Sequence, residues 1–145
     1  MNAAVGIIRT KLVPAMLFAL LTSAFTLAQA KPEQLAQTSA ESWLALTDSG
    51  KYAQSWDEAS QLFKGAVTKD KWQDALHQVH DPLGKLVSRK FKSATYTKSL
   101  PGAPDGEYVV IQYDTIFENK QTATETVTPM LDKDGKWRVS GYFIK

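Results

Sequence analysis

Residues 107–118 read EYVVIQYDTIFE, and this stretch decides the fold. Val109, Ile111, Tyr113 and Phe117 fall on one side of a period of two, while Tyr108, Val110, Gln112, Asp114 and Ile116 fall on the other. That period, in a run rich in Val, Ile and Tyr, is the mark of a β-strand, where successive side chains point to opposite faces. The same alternation extends through residues 86–98, 122–132 and 136–144. The intervening turns are short: PGAPDG at 101–106, residues 118–121, and DKDG at 132–135. Connections of this length force antiparallel neighbours, so the four strands form a meander.

Register follows from collecting apolar residues on one surface, because a slip of one residue turns every side chain over. A three-residue loop at 133–135 sets Leu131 opposite Trp137 and Pro129 opposite Val139. An odd loop at 119–121 sets Val127 opposite Tyr113. The inner face then holds Val109, Ile111, Tyr113, Phe117, Val127, Trp137, Val139, Gly141 and Phe143. Tyr142, Ile144, Arg138, Ser140 and Met130 go to the outer face, which is half apolar. Such a face wants cover, either from residues 31–50 and loops or from a second subunit.

Before Gly84 the period is near four. Ala36, Ala40, Trp43, Leu44 and Thr47 gather on one face of a helix that Gly50 ends. Tyr52, Trp56, Ala59 and Phe63 mark a second helix, and Trp72, Ala75, Leu76 and Val79 a third, capped by Thr68 and closed by Pro82 and Gly84. The expected fold is α+β: three N-terminal helices packed on one face of a curved four-stranded antiparallel meander. The tryptophans at 43, 56, 72 and 137 all lie within core stripes, so packing accounts for them.

The N-terminus addresses the protein. Arg9 and Lys11 precede an apolar run over residues 12–27, and Ala28, Gln29 and Ala30 end it with the small residues a signal peptidase accepts. The expected organisation is a signal peptide over 1–30, cleaved after Ala30, and one domain over 31–145. The product would be periplasmic or secreted, with no stable membrane insertion. The chain contains no cysteine, which removes disulfides, lipid acceptors and a thiol nucleophile. Losing Arg9 and Lys11 takes the basic residues from 17 to 15, equal to the 15 acidic ones. A neutral exported domain does not fit a nucleic-acid binder.

Few residues offer chemistry. The register sets Glu125 on the inner face beside Thr115 and opposite Phe143, where apolar neighbours should raise its pKa toward that of a general base or acid. His77 and His80 lie three apart with Asp74 and Asp81 nearby, yet the third helix's stripe points elsewhere and both are expected at the surface. No further metal ligands have the right spacing, so neither a metal nor a cofactor is expected. Lys85, Arg89, Lys90, Lys92 and Lys98 form a basic run without acids, which suits an edge strand protected from pairing or a patch for anionic envelope polymers.

Several stretches are similar to a known family. They are residues 42–46 (SWLAL), 52–56 (YAQSW), Pro82-Leu83-Gly84 with Arg89, 100–114 (LPGAPDGEYVVIQYD), 125–128 (ETVT) and 134–142 (DGKWRVSGY). Together they resemble the bacterial exported family called domain of unknown function 4019, over nearly all of residues 36–145. The helices-then-meander order also looks like the cone-shaped nuclear-transport-factor-2-like, or cystatin-like, superfamily. That resemblance implies a fold shared by isomerases, dehydratases, ligand binders, dimerisation modules and immunity proteins, and fold alone does not choose among them. Its enzymes similar to ketosteroid isomerase place an acid in the cone with a tyrosine as oxyanion donor. The resemblance implies Glu125 and Tyr113 as the counterparts here.

The leading expectation is a non-enzymatic exported module that binds a small apolar ligand or an envelope protein, with Tyr113, Val127, Trp137 and Phe143 lining the pocket. One rival is a proton-transfer enzyme of isomerase or dehydratase type, with Glu125 as base and Tyr113 as hydrogen-bond donor. The other is an envelope assembly subunit that forms a homodimer through the outer sheet face.

Overall fold

A computed structural model describes residues 29–145; the leader expected over residues 1–30 lies outside the described residues, apart from its last two positions. Four helices precede four strands: α1 (Pro32–Asp48), α2 (Tyr52–Asp57), α3 (Gln61–Ala66), α4 (Lys69–Leu83), β1 (Leu86–Thr97), β2 (Tyr108–Phe117), β3 (Lys120–Leu131) and β4 (Trp137–Ile144). The strands pair antiparallel in the order β1-β2-β3-β4, and the helices pack on one face. The class is the expected α+β.

Helix α1 buries Ala36, Ala40, Trp43, Leu44 and Thr47, the stripe that its sequence spacing predicts. This helix lies against all four strands on the inner face, so residues 31–50 do not cover the outer one. The second expected helix is two. Between α2 and α3 the backbone N–H of Ser60 donates to the Val139 carbonyl at 2.9 Å, while the Ser60 hydroxyl accepts from the Phe63 N–H and caps α3. A continuous helix would commit that Ser60 N–H to its own ladder, so the contact with β4 breaks it. Ser55 is buried between the tryptophans: its carbonyl accepts from Trp43 Nε1 at 2.7 Å and its hydroxyl from Trp72 Nε1 at 2.9 Å. Tryptophan N–H groups buried this way are satisfied, and the helical layer is tied together.

The hairpin β3–β4 begins in the expected register, with Leu131 opposite Trp137 and Pro129 opposite Val139. Further along, Thr128 faces Gly141 and Val127 faces Tyr142, so Ser140 is an extra residue in β4. This bulge exchanges the faces of everything after it. Tyr142 turns inward and packs on Trp43, and Phe143, expected in the core, is 49 % exposed. In the β2–β3 hairpin the pairing is displaced by two residues from expectation. Val127 faces Ile111, and Tyr113 faces Glu125. A displacement of two keeps the faces, so Val127 and Glu125 remain inside.

Candidate functional site

One row of polar side chains crosses the inner face of all four strands. It runs Arg89 on β1, Thr115 on β2, Glu125 on β3 and Tyr142 on β4. Register makes the row: Arg89 pairs with Thr115, Glu125 with Tyr113 and Ile144, and the Ser140 bulge sets Tyr142, two residues before Ile144, on the same side. Two helices close it, α1 with Asp48 at its C-terminus and α4 with His80 in its last turns.

The centre of the row is Glu125, whose side chain is 0 % exposed. Its Oε2 accepts from Arg89 Nε at 2.6 Å and from Thr115 Oγ1 at 2.7 Å. Its Oε1 accepts from Arg89 Nη2 at 3.0 Å and from the Tyr142 hydroxyl at 2.6 Å. A carboxylate offers about four lone-pair sites, and all are occupied. Arg89 also forks onto Asp48, with Nη1 to Oδ2 at 2.7 Å and Nη2 to Oδ1 at 2.9 Å. Arginine's fixed planar donors suit this double bidentate bridge, which a lysine could not make.

These contacts reverse the titration expected of Glu125. Burial pushes its pKa up as anticipated, but the Arg89 guanidinium, the Tyr142 hydroxyl and the Thr115 hydroxyl outweigh burial, and the net direction is down. Arg89 moves the opposite way: burial works against its charge, and its bonds to Asp48 and Glu125 more than restore it. Burial, with the neighbouring Glu125 charge, raises Tyr142.

His80 is a correction to the sequence reading. It is 8 % exposed, not at the surface, and it stacks on Tyr142 with ring centroids 6.1 Å apart. Its Nε2 lies 3.3 Å from the Tyr142 oxygen. The buried positions of α4 are Trp72, Leu76 and His80, while Val79, expected in the stripe, is 42 % exposed. Burial lowers the His80 pKa against the opposing pull of Glu125. His77 is exposed and lies 3.5 Å from Asp81. Among the described residues, no three His, Asp or Glu side chains gather in a metal-ligand arrangement.

The four residues expected to line a pocket are dispersed. Tyr113 is 2 % exposed and Val127 is fully buried, both within the packed core. The Tyr113 hydroxyl has no hydrogen-bond partner among the described residues, and burial pushes its pKa up to about 12. Trp137 borders a surface cleft of ≈ 360 Å³ with Ser39, Trp43 and Asp57. Phe143 stands on the outer face beneath Lys145, whose Nζ is 5.6 Å from the ring centroid. Of the basic run, Arg89 turns inward, and Lys92 pairs with Asp114 on the outer face at 3.2 Å.

A larger cleft, ≈ 720 Å³, lies where the β1–β2 and β3–β4 connections meet α3. Leu62, Met130, Leu131 and Pro104 give it apolar walls, and Asp105, Asp132 and Asp134 edge it. Arg138 occupies two of those acids, bonding Asp132 at 3.0 Å and Asp134 at 2.8 Å. Sequence reasoning missed this cleft, together with Asp48, His80, Arg89 and Tyr142. A signal for Tyr142 was present in Gly141, since an isolated glycine inside a strand pattern marks a bulge.

Fold and site define a class: an α+β domain with its helical layer laid over a meander and an ion-paired carboxylate sealed between them. The chain belongs to the family described as protein of unknown function DUF4019, whose model matches residues 39–142, a span containing every residue of the polar row. No curated protein matches the chain.

Proposed function

We propose that this protein is an exported, non-enzymatic binding module of the nuclear-transport-factor-2-like kind, which takes a small apolar ligand. The observation that carries the reading is the saturation of Glu125. A general base needs a free lone pair within reach of a substrate proton, and every acceptor site of this carboxylate is engaged inside a filled core. The inner face therefore serves folding. Ligand binding moves to the cleft walled by Leu62, Met130, Leu131 and Pro104, whose ≈ 720 Å³ falls within the usual range for small-molecule sites. Met130 adds a flexible, polarisable wall that adapts to ligand shape. Export rests on the leader pattern of residues 1–30.

A neutral apolar dye, N-phenyl-1-naphthylamine, tests the reading. Saturable fluorescence enhancement is expected, and Leu62→Gln or Met130→Lys should weaken it about tenfold, the equivalent of losing one well-buried apolar contact. No saturable enhancement, or binding by both variants as tight as that of the unaltered protein, refutes the assignment.

The outer sheet face supports a second reading, self-association. The Ser140 bulge turns Phe143 onto it, and all helices pack on the other side. Sedimentation at micromolar concentration decides: a strict monomer removes this reading.

A further inference from the structure

We infer that the free edge of β1, over residues 93–97, takes an added strand from a protein partner. The partner is an extended segment, apolar on one side, with an acid at each end. This edge shares no residue with the apolar cleft, so the inference is independent of the ligand reading.

The two edges of the sheet are finished differently. On β4 the helical layer bonds two alternate carbonyls: the Ser39 hydroxyl donates to that of Trp137 at 2.7 Å, and the Ser60 N–H to that of Val139 at 2.9 Å. On β1, among the described residues, no backbone group outside β2 bonds residues 88–97. An edge strand leaves alternate N–H and C=O groups pointing away from the sheet, free to pair with another chain. Such strands are normally blunted, and β1 is blunted in two places, by bulges at Val87 and Lys92. Between Lys92 and Lys98 the register with β2 then runs unbroken for five residues, Ser-Ala-Thr-Tyr-Thr, without charge or proline. That stretch can accept a strand.

In strand addition, main-chain hydrogen bonds supply affinity and alternate side chains supply specificity. Register with β2 fixes what those side chains meet. Ala94 and Tyr96 lie opposite Ile111 and Val109 on the inner face, and both pack partly buried against the core. Next to them Phe91, opposite Tyr113, is 44 % exposed. The partner's inward side chains therefore find apolar neighbours. Its outward ones find Ser93 and Thr95, opposite Gln112 and Val110. The ends are basic: Lys98 is exposed, Lys92 meets only the exposed Asp114 at 3.2 Å, and no acid occurs between Asp81 and Asp105. Charge also excludes a second copy. Antiparallel pairing of residues 93–97 with themselves, centred on Thr95, sets Lys92 against Lys98 at both ends, and parallel pairing sets each lysine against its own copy. Like charges across a pair are destabilising. Acids at both ends reverse the sign in either strand direction.

The test uses the blocked peptide Glu-Thr-Val-Thr-Val-Thr-Glu, which reads the same in both directions, followed by calorimetry and amide NMR. Two counterparts accompany it: one with lysine at both ends, and one with N-methylated valines, which cannot complete a ladder. The acidic peptide should bind saturably, shift the amides of residues 93–97 and slow their hydrogen exchange; the counterparts should not. Lys98→Glu, an exposed change, should weaken binding about tenfold, because reversal loses an attraction and adds a repulsion. Lys71→Glu, the same change of net charge on α4, should leave binding unaltered. No saturable binding, equal binding of the N-methylated peptide, or equal losses in Lys98→Glu and Lys71→Glu overturns the proposal.

Discussion

Replacing Arg89 with methionine removes the cation from a carboxylate that has no contact with water. Glu125 loses two of its four hydrogen bonds and Asp48 loses both of its own to Arg89. Breaking a buried pair from one side costs about 3–5 kcal/mol, a large share of the 5–15 kcal/mol that holds a domain of this size. Adding Glu125→Gln removes the stranded charge and keeps one acceptor oxygen, for the Tyr142 hydroxyl, while the amide NH2 can donate to the Thr115 hydroxyl oxygen in place of accepting from it. The double variant should therefore recover about 2 kcal/mol of the loss, read by urea denaturation as a double-mutant cycle. The dependence on pH should also change sign. In the native protein the depressed Glu125 pKa contributes stability that is present above the unfolded value and lost as pH falls through the folded one, below the ordinary 4.5. In Arg89→Met the Tyr142 and Thr115 hydroxyls still favour the charged form, but burial, the largest cause, is no longer opposed by a cation and raises the folded pKa, so stability should fall as pH rises toward neutrality. A loss under about 1 kcal/mol, or a pH dependence like that of the unaltered protein, refutes the reasoning.

Other consequences follow from single side chains. Tyr113→Phe should be neutral or stabilising by up to about 1 kcal/mol in thermal denaturation, because the hydroxyl it removes has no partner among the described residues. Gly84→Ala should cost about 1–3 kcal/mol: φ is +73°, and a Cβ there would lie 2.8 Å from Glu118 Oε2. His80 should titrate below 6.5 when followed by imidazole NMR, and stability should decline as pH falls from 6.5 toward that lowered value, since the folded state resists the charged ring.

The strands and helix α1 were legible because their patterns are local. Alternation over residues 107–118 and the spacing from Ala36 to Thr47 require no knowledge of partners, and the Leu131–Trp137 pairing follows from turn length. What escaped depends on contacts between elements. The bulge at Ser140 reverses Tyr142 and Phe143, and Phe143 is the more hydrophobic of the two, so patterning alone chose wrongly. The break at Ser60 exists because β4 offers a carbonyl to its N–H. On α4, Val79 and His80 are adjacent in sequence and 100° apart around the helix. Hydrophobicity favoured Val79, but Tyr142 and Phe117 lie on the side that His80 faces. Burial of Glu125 was foreseen; its partner was not, because Arg89 sits among lysines on an edge strand and nothing local says that it alone turns inward.

The claim that Glu125 is a charged structural element, and not a base, is tested most directly by its own titration. Following the side-chain carboxyl ¹³C shift of Glu125 from neutral pH into acid should give a midpoint below the ordinary glutamate value of 4.5, with loss of the native fold accompanying protonation. A midpoint above that value, in a protein that stays folded, would contradict the account and return the inner face to catalysis.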